Sequence, residues 1–289
     1  MDDIRQDLRF AFRTLAKNPA FTAIVVLTLA LGIGANAAIF SLMDQVLVRL
    51  LPVKDPDRLV VVDAPGPFSG RSSNQSNVLT PISHPLLLEL SAKNDVFSGI
   101  LGRYSTTVHL TAGRETDNAT ADLVSGTYFP VLGLVPHAGR LLGAEDDQKP
   151  GAHPVVVLDH GYWTRRFAGD PKVVGQTVGV NGHPMTVVGI APQGFHGVEV
   201  GQSIDLYVPL AMQPQVLPTW PDTTLGDWRS RWLLTIARLK DGVTPEEAKA
   251  RVNVLYAQHL QEDLARIGSR SDRFKSLFLK KQLELLPGG

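Results

Sequence analysis

The sequence predicts an α+β protein with one amino-terminal transmembrane helix, and three observations predict it. A strongly apolar run of 25 residues without a charge lies near the amino terminus. Beyond that run, strand-like and helix-like segments alternate at both ends of the remaining chain. Between those ends stands a stretch of short strands and turns rich in Gly and Pro, so the expected layout is a β-rich segment inserted between two halves of one sheet-and-helix subdomain.

The apolar run extends from Pro19 to Met43. As a helix it measures about 37 Å, against a hydrocarbon core of about 30 Å. Phe21, Ile24, Val25, Val26, Leu27, Leu29, Leu31, Ile33, Ile39, Phe40 and Leu42 favour insertion by roughly −3 to −7 kcal/mol in sum, and Asn36 removes only part of that. The predicted span covers residues 19–48. Two other readings use the same residues. Ala35-Asn36-Ala37 fits a signal-peptide cleavage site, but Asp2, Asp3 and Asp7 precede the run and apolar residues continue through Met43. Gly32-Ile33-Gly34-Ala35-Asn36-Ala37 spells G-x-G-x-x-A, with Asp63 after Val60-Val61-Val62, but that fingerprint needs a strand of about five or six residues before the first glycine. Here the apolar stretch begins at Ala20. Ala30, Gly34 and Ala38 instead form a small-residue ridge that lets another helix approach.

Residues 1–18 read as a cytoplasmic amphipathic juxtamembrane helix. Arg5, Arg9, Arg13 and Lys17 recur every four residues along one side, with Ile4, Leu8, Phe12 and Leu15 as an apolar stripe suited to the surface of the lipid bilayer. Those four basic residues, against Arg49, Lys54 and Arg58 after the span, favour a cytoplasmic amino terminus.

Residues 52–289 read as one extracytoplasmic domain, expected to fold when cut free at about Leu51. A strand at Arg58–Val62 is followed by a loop at Ala64–Asn77 and a helix at His84–Lys93 that turns Leu86, Leu87, Leu88 and Leu90 mostly inward. Strands come next near Tyr104–Thr111 and Asn118–Val124, then a helical turn at Tyr128–Leu132. The middle segment, 137–230, holds a strand at Val155–Leu158, a helix near Gly161–Phe167, and a hairpin from Thr177–Val180 to Met185–Ile190. Asn181-Gly182 forms its turn, since a type I′ turn needs positive φ at both positions. Another strand lies near Asp205–Leu210. Beyond the insert, Arg231–Leu239 is a strand. Thr244-Pro245-Glu246-Glu247 opens a helix to about Ile267, with Thr as cap, Pro at the first position and Glu247 completing a capping box. Ser276–Leu285 reads as a closing strand. Units 58–124 and 231–285 are thus each strand–helix–strand, bracketing the insert 137–230.

Composition narrows function. Lys+Arg and Asp+Glu both number 28, for a net charge of zero, so no bulk field favours nucleic acid. The absence of cysteine excludes disulfides, thiolate metal sites and thiol nucleophiles. Only 19% of residues are charged, and mean hydropathy is +0.02. There is no G-x-x-x-x-G-K-[ST], no H-E-x-x-H and no G-x-S-x-G. His153, His160, His183 and His196 gather in the insert at separations that fit no ligand pair. Glu145-Asp146-Asp147 reads as a solvated acidic loop, and Trp220, Trp228 and Trp232 as packing residues. Asn74 and Asn118 head chance glycosylation sequons. The expectation is a non-catalytic protein with no catalytic, cofactor-binding or metal residues and no cofactor.

Leu8-Arg9-Phe10-Ala11-Phe12-Arg13-Thr14-Leu15-Ala16-Lys17-Asn18-Pro19-Ala20-Phe21-Thr22, continuing through Leu27–Asn36 and Ala38–Ser41, resembles the start of MacB/FtsX-type ABC transporter permeases, in particular the duplicated-permease branch of acidobacteria. Asp55-Pro56-Asp57-Arg58-Leu59-Val60, Val124-Ser125-Gly126-Thr127-Tyr128-Phe129, Gly139-Arg140-Leu141-Leu142 and Ala237–Thr244 are similar to the family's periplasmic core domain. The order and spacing of these motifs cover almost the whole chain. The resemblance implies a bacterial inner-membrane anchor carrying a two-lobed MacB-like periplasmic core domain, with a porter-like lobe of paired βαβ units and a β-rich insert. It implies export or efflux driven by a cytoplasmic ABC ATPase that moves this domain, with other permease helices or a second permease copy, and a periplasmic adaptor or substrate protein, as partners. A full member continues with three more membrane helices or a second copy of the unit, whereas this sequence ends at Leu286-Pro287-Gly288-Gly289, so an incomplete transporter is expected. The alternative is a stand-alone membrane-tethered periplasmic interaction module without transport activity.

Overall fold

The computed structural model describes residues 17, 19–43, 51–73, 79–199 and 201–288. The expected helix over 1–18 lies outside the described residues but for Lys17, as do residues 44–48 of the expected span. The chain forms two compact units, Met1–Leu50 and Leu51–Gly289.

In the first unit, α1 spans Pro19–Met43. Its stretch Pro19–Ala37 has mean hydropathy 1.9 and no buried residue, so it is long and apolar enough to cross a membrane. Gly32 and Gly34 sit inside this continuous helix, which leaves no strand–turn–helix for a dinucleotide fingerprint.

The second unit is built on one sheet. It begins with β1 (Leu59–Asp63), β2 (Arg71–Ser72), β3 (Ile82–Ser83) and α2 (His84–Lys93), then the long hairpin β4 (Phe97–Ala112) and β5 (Glu115–Val124). Next come α3 (Tyr128–Leu132), β6 (Ala138–Gly139), β7 (Val155–Leu158), α4 (His160–Phe167), β8 (Thr177–Val180), β9 (His183–Ile190) and β10 (Leu206–Pro209). The chain closes with β11 (Ser230–Leu239), α5 (Pro245–Ile267), α6 (Asp272–Leu279) and β12 (Glu284–Pro287).

Among the described residues the strand order is β12-β1-β11-β4-β5-β10-β7-β9-β6, with β2 and β3 on β11 and β8 bridging β4 and β9. β1 is antiparallel to both β11 and β12, and β11 is antiparallel to β4. Hence β1-α2-β4 straddles β11, and β11-α5-α6-β12 straddles β1. These two strand–helix–strand elements of the second unit interlock as split βαβ elements, the ferredoxin-like arrangement. The insert is not a separate sheet. β10 adds parallel to β5 with Leu206 opposite Ala121, and β8 pairs with the far end of β4 with Val180 opposite Leu110. The 16-residue β4 therefore runs through both lobes.

Side-chain alternation places a core on each face of the sheet. Ile100 packs with Leu87, Leu90, Trp232, Val252 and Tyr256 on one face, and its neighbour Leu101 packs with Tyr128, Phe129, Phe195 and Tyr207 on the other. α5 covers the first face with Ala248, Val252, Tyr256 and Leu260, which recur every four residues. In α2 the buried residues are Leu86, Leu87 and Leu90, while Leu88 is 56% exposed, contrary to its expected inward placement. The 3.6-residue period carries Leu88 off the buried stripe.

Local chemistry explains the boundaries. Asn181 and Gly182 both have positive φ, 49° and 81°, as a type I′ turn requires. Thr244 Oγ1 accepts a hydrogen bond from Glu247 N at 3.2 Å. Thr244→Ala is therefore expected to lower the stability of residues 51–289 by about 0.5–2 kcal/mol, read as a shift in urea midpoint; an unchanged midpoint would mean that this bond contributes nothing to the helix.

The structure also corrects two expected element boundaries. The closing strand does not begin at Ser276, because residues 272–279 form α6 and β12 starts at Glu284. Ser271 caps α6 by accepting from Phe274 N at 3.3 Å, and Phe274 and Phe278, four apart, stack at 5.5 Å. In Phe-Lys-Ser-Leu-Phe-Leu the two aromatic rings four apart lie on one helical face. The loop expected at 64–77 also contains β2, which pairs in parallel with the start of β11.

Candidate functional site

The segment ahead of β1 is fastened to the domain by one arginine. Arg238, near the end of β11, donates from Nε to Val131 O at 2.7 Å, from Nη1 to Asp55 O at 2.9 Å, and from Nη2 to Lys54 O. Lys54 N in turn donates to Leu132 O at 3.0 Å. One guanidinium thus ties β11, α3 and residues 54–55 together, using the planar five-donor fork that only arginine offers. Burial pulls its pKa down, opposed by the Asp55 charge, with Arg58 adding repulsion. Gly133 makes the approach possible. It has φ 68° at the end of α3, and a Cβ there would sit 2.6 Å from Lys54 Cβ.

Beside it, Arg58 pairs with Asp241 and donates to Leu239 O. Lys54, Asp55, Arg58, Arg238 and Asp241 line a cleft of about 500 Å³. At the same edge Gly288 N donates to Leu59 O at 2.9 Å, and β12 pairs with β1 from Val60 opposite Pro287 to Asp63 opposite Glu284. The first and last strands of the domain are therefore neighbours, and the incoming segment is held on the other side by Arg238.

A second arginine joins the two lobes. Arg103 in β4 is 2% exposed and grips Asp122 of β5 through two bonds, Nε to Oδ2 at 2.7 Å and Nη2 to Oδ1 at 2.8 Å. Its remaining donors reach Glu199 Oε2 at 2.7 Å and Gln202 Oε1 at 3.1 Å, both on the loop before β10. Gln202 also donates to Ser105 Oγ at 2.9 Å. Burial works against the charge on Arg103, but Asp122 outweighs it and holds the guanidinium protonated.

A third polar link joins the helices. Buried His259 of α5 lies 2.6 Å from Glu89 Oε2 of α2 through Nδ1 and 3.1 Å from Asp263 Oδ2 through Nε2. Burial disfavours its charge, yet the bonds and charges of Asp263 and Glu89 together raise its pKa above 6.5. A raised folded-state value means that the protonated imidazolium stabilises the fold fully below pH 6.5. That contribution fades as pH rises through the folded-state pKa. The urea midpoint of wild type should thus exceed that of His259→Gln most below pH 6.5, with the gap closing toward pH 9. A pH-independent gap would show that His259 acts by packing alone.

The residues singled out from sequence have structural surroundings. His160 packs edge-on against His137 at 4.6 Å, and His196 lies 3.4 Å from Asp159. Among the described residues no group of three His, Asp or Glu side chains is arranged to hold a metal ion. Glu145-Asp146-Asp147 is not the solvated loop expected. Asp146 is 2% exposed, grips Arg140 at 2.6 and 2.8 Å and accepts from Gly143 N at 3.0 Å. Asp147 accepts from Gly126 N at 3.0 Å and Ala211 N at 2.7 Å. Short carboxylates here satisfy turn N–H groups that would otherwise be orphaned. Trp220 and Trp232 pack at 5.6 Å with Tyr104 against both.

The model of the MacB-like periplasmic core domain family matches residues 22–255. Over 263 residues the chain is 24% identical to the macrolide export ATP-binding/permease protein MacB 1 of Yersinia pestis bv. Antiqua, covering 90% of this chain and 38% of that protein. The corresponding MacB of Salmonella paratyphi A is 24% identical over 262 residues, 90% of this chain and 38% of the relative. Across the curated relatives it matches, the chain spans 27–38% of their length. Among solved structures, the periplasmic region of MacB from Actinobacillus actinomycetemcomitans superposes with a TM-score of 0.55 at 22% identity, covering 80% of this chain and 89% of that one.

Proposed function

This chain belongs to the family of MacB-like periplasmic core domains, and from that premise we propose that it is the membrane-anchored extracytoplasmic part of an ABC-type export permease. In this reading a cytoplasmic ABC ATPase drives the membrane helices, and the domain converts their displacement into movement outside the inner membrane. The observation that carries it is the clamp of Arg238 on Lys54, Asp55 and Val131, with β12 alongside β1. A segment fixed by three charge-assisted hydrogen bonds passes on a pull instead of stretching. Residues 1–18 lie in the cytoplasm and residues 52–289 outside it. Partners are other permease helices or a second permease copy, with a periplasmic adaptor or substrate protein facing the domain. The chain performs no chemistry of its own.

Two measurements test the proposal. Alkaline phosphatase fused after Gly289 should be active, and a reporter confined to the cytoplasm should be active before Met1. A silent phosphatase, or a mature protein starting at Ala38, would overturn the topology. Tagged chain extracted from its native membranes should co-purify with an ATP-binding subunit. Its consistent absence, with the topology intact, would leave a tethered interaction module instead.

A further inference from the structure

Three separated stretches of the domain, 68–71, 227–229 and 270–274, meet around a cleft of about 650 Å³. The meeting depends on Gly70. Its φ is 139°, and a Cβ there would fall 2.2 Å from Arg229 O, so only glycine lets this segment lie against the start of β11. Arg71 N then donates to Arg229 O and Ser73 N to Arg231 O, both at 3.0 Å, which sets Phe68 and Arg71 at the rim. From the other side come Arg270 of the α5–α6 turn and Phe274 of α6. A neighbouring cleft of about 300 Å³ shares Arg71 and is lined by Trp220, Arg231 and Trp232.

The charges of this region do not balance. The larger cleft carries Arg71, Arg229 and Arg270 against one carboxylate, Asp227, which is 3.7 Å from Arg71. Arg270 donates to Ser69 Oγ at 2.7 Å and lies over the Phe274 ring. Arg231 is only 8% exposed, takes part in no ion pair among the described residues, and sits 5.2 Å above the ring of Phe68. Its Nη1 has no hydrogen-bond partner of good geometry, and the guanidinium interacts with the Tyr256 hydroxyl, an uncharged group whose pKa burial raises. Behind it the buried Lys281 Nζ lies over the rings of Tyr256 and Phe278 without a hydrogen-bond partner, and burial with the charge of Arg231, against the pull of Asp263, lowers its pKa to about 7. A buried guanidinium without a counter-charge is costly, and an anion at the cleft relieves that cost.

We propose that these adjoining clefts bind a small organic anion with an aromatic body. Its acidic group sits between Arg71 and Arg270 in the field of Arg231, and its ring system lies against Phe68 and Phe274. The volume suits a ligand of drug-like size, since such pockets run from about 300 to 1,000 Å³. Aromatic faces with a few convergent charges give both affinity and orientation. The site goes beyond the export reading and stands without it.

The test uses the whole chain in phosphatidylcholine nanodiscs, with 1-naphthaleneacetate and its neutral amide as probes and empty discs as reference. Calorimetry and tryptophan fluorescence should show saturable one-to-one binding of the acetate, with the amide weaker by about tenfold or more, the worth of one charge-assisted contact. Arg71→Ala and Arg270→Ala should each weaken the acetate by about fivefold or more while keeping the wild-type thermal melt, both side chains being solvent-exposed at the rim. Raising the salt should weaken it further. Equal affinity for acetate and amide would overturn the proposal. So would unchanged binding in both arginine variants, or no saturation by about 5 mM acetate, where affinity falls below roughly 3 kcal/mol.

Discussion

Replacing Asp122 with alanine is expected to destabilise the domain by about 3–5 kcal/mol. Asp122 is fully buried, and its carboxylate takes two of the donors of Arg103. Without it the arginine keeps Glu199, whose side chain is 44% exposed, and the uncharged Gln202. The cost is that of stranding a buried charge, not the net worth of the pair. The double change Arg103→Met with Asp122→Leu should therefore recover most of the loss, because a well-packed apolar pair often matches a buried ion pair. Urea unfolding of the single and double variants separates the cases. A single variant within about 1 kcal/mol of wild type would mean that Glu199 alone balances Arg103.

Replacing Arg238 with methionine should cost about 2–3 kcal/mol and, more specifically, free the segment ahead of β1. Three backbone carbonyls, of Val131, Asp55 and Lys54, lose their donor together. Amide exchange at Lys54, which bonds to Leu132 O, should accelerate by about tenfold or more while the core of β4 stays protected. Lysine at this position should restore little, because an ammonium on a flexible stem cannot reproduce the fork. Unchanged exchange at residues 53–58 in Arg238→Met would show that β1 pairing alone holds the segment.

What the sequence reveals of this protein divides by the range of the interaction. The Asn181-Gly182 turn and the Thr244 cap are each decided within a few neighbouring residues and helix α1 within one uncharged apolar run, and each is legible. α6 is not, because Phe274 and Phe278, four apart, share a face in a helix and in a strand alike, and the cap at Ser271 decides the outcome. The polar links lie further beyond reach. Arg238 meets carbonyls 107 to 184 positions away, and His259 meets Glu89 across 170. A signal for the arginines does exist in the strands. Arg103 follows Leu101-Gly102, and Arg238 stands between Ala237 and Leu239, so each is a charge inside an apolar run that must find a partner or cost stability. The acidic run misleads for the opposite reason. Charge density alone reads as solvent, whereas Asp146 and Asp147 serve Arg140 and backbone N–H groups brought together only by folding.

The pairing of β12 with β1 makes the domain mechanically anisotropic. Leu59 and Gly288 are adjacent, so a load separating them acts across the two strands and opens the ladder one rung at a time, from Val60–Pro287 toward Asp63–Glu284. A load on the incoming segment directed along β1 does something different. It strains every β1–β11 hydrogen bond at once, from Leu59–Arg238 to Val62–Thr235, and reaches the second lobe through β4, about 50 Å of continuous strand. The same four-strand unit is thus a zipper in one direction and a tie rod in the other, yielding to sideways separation while holding against a lengthwise pull.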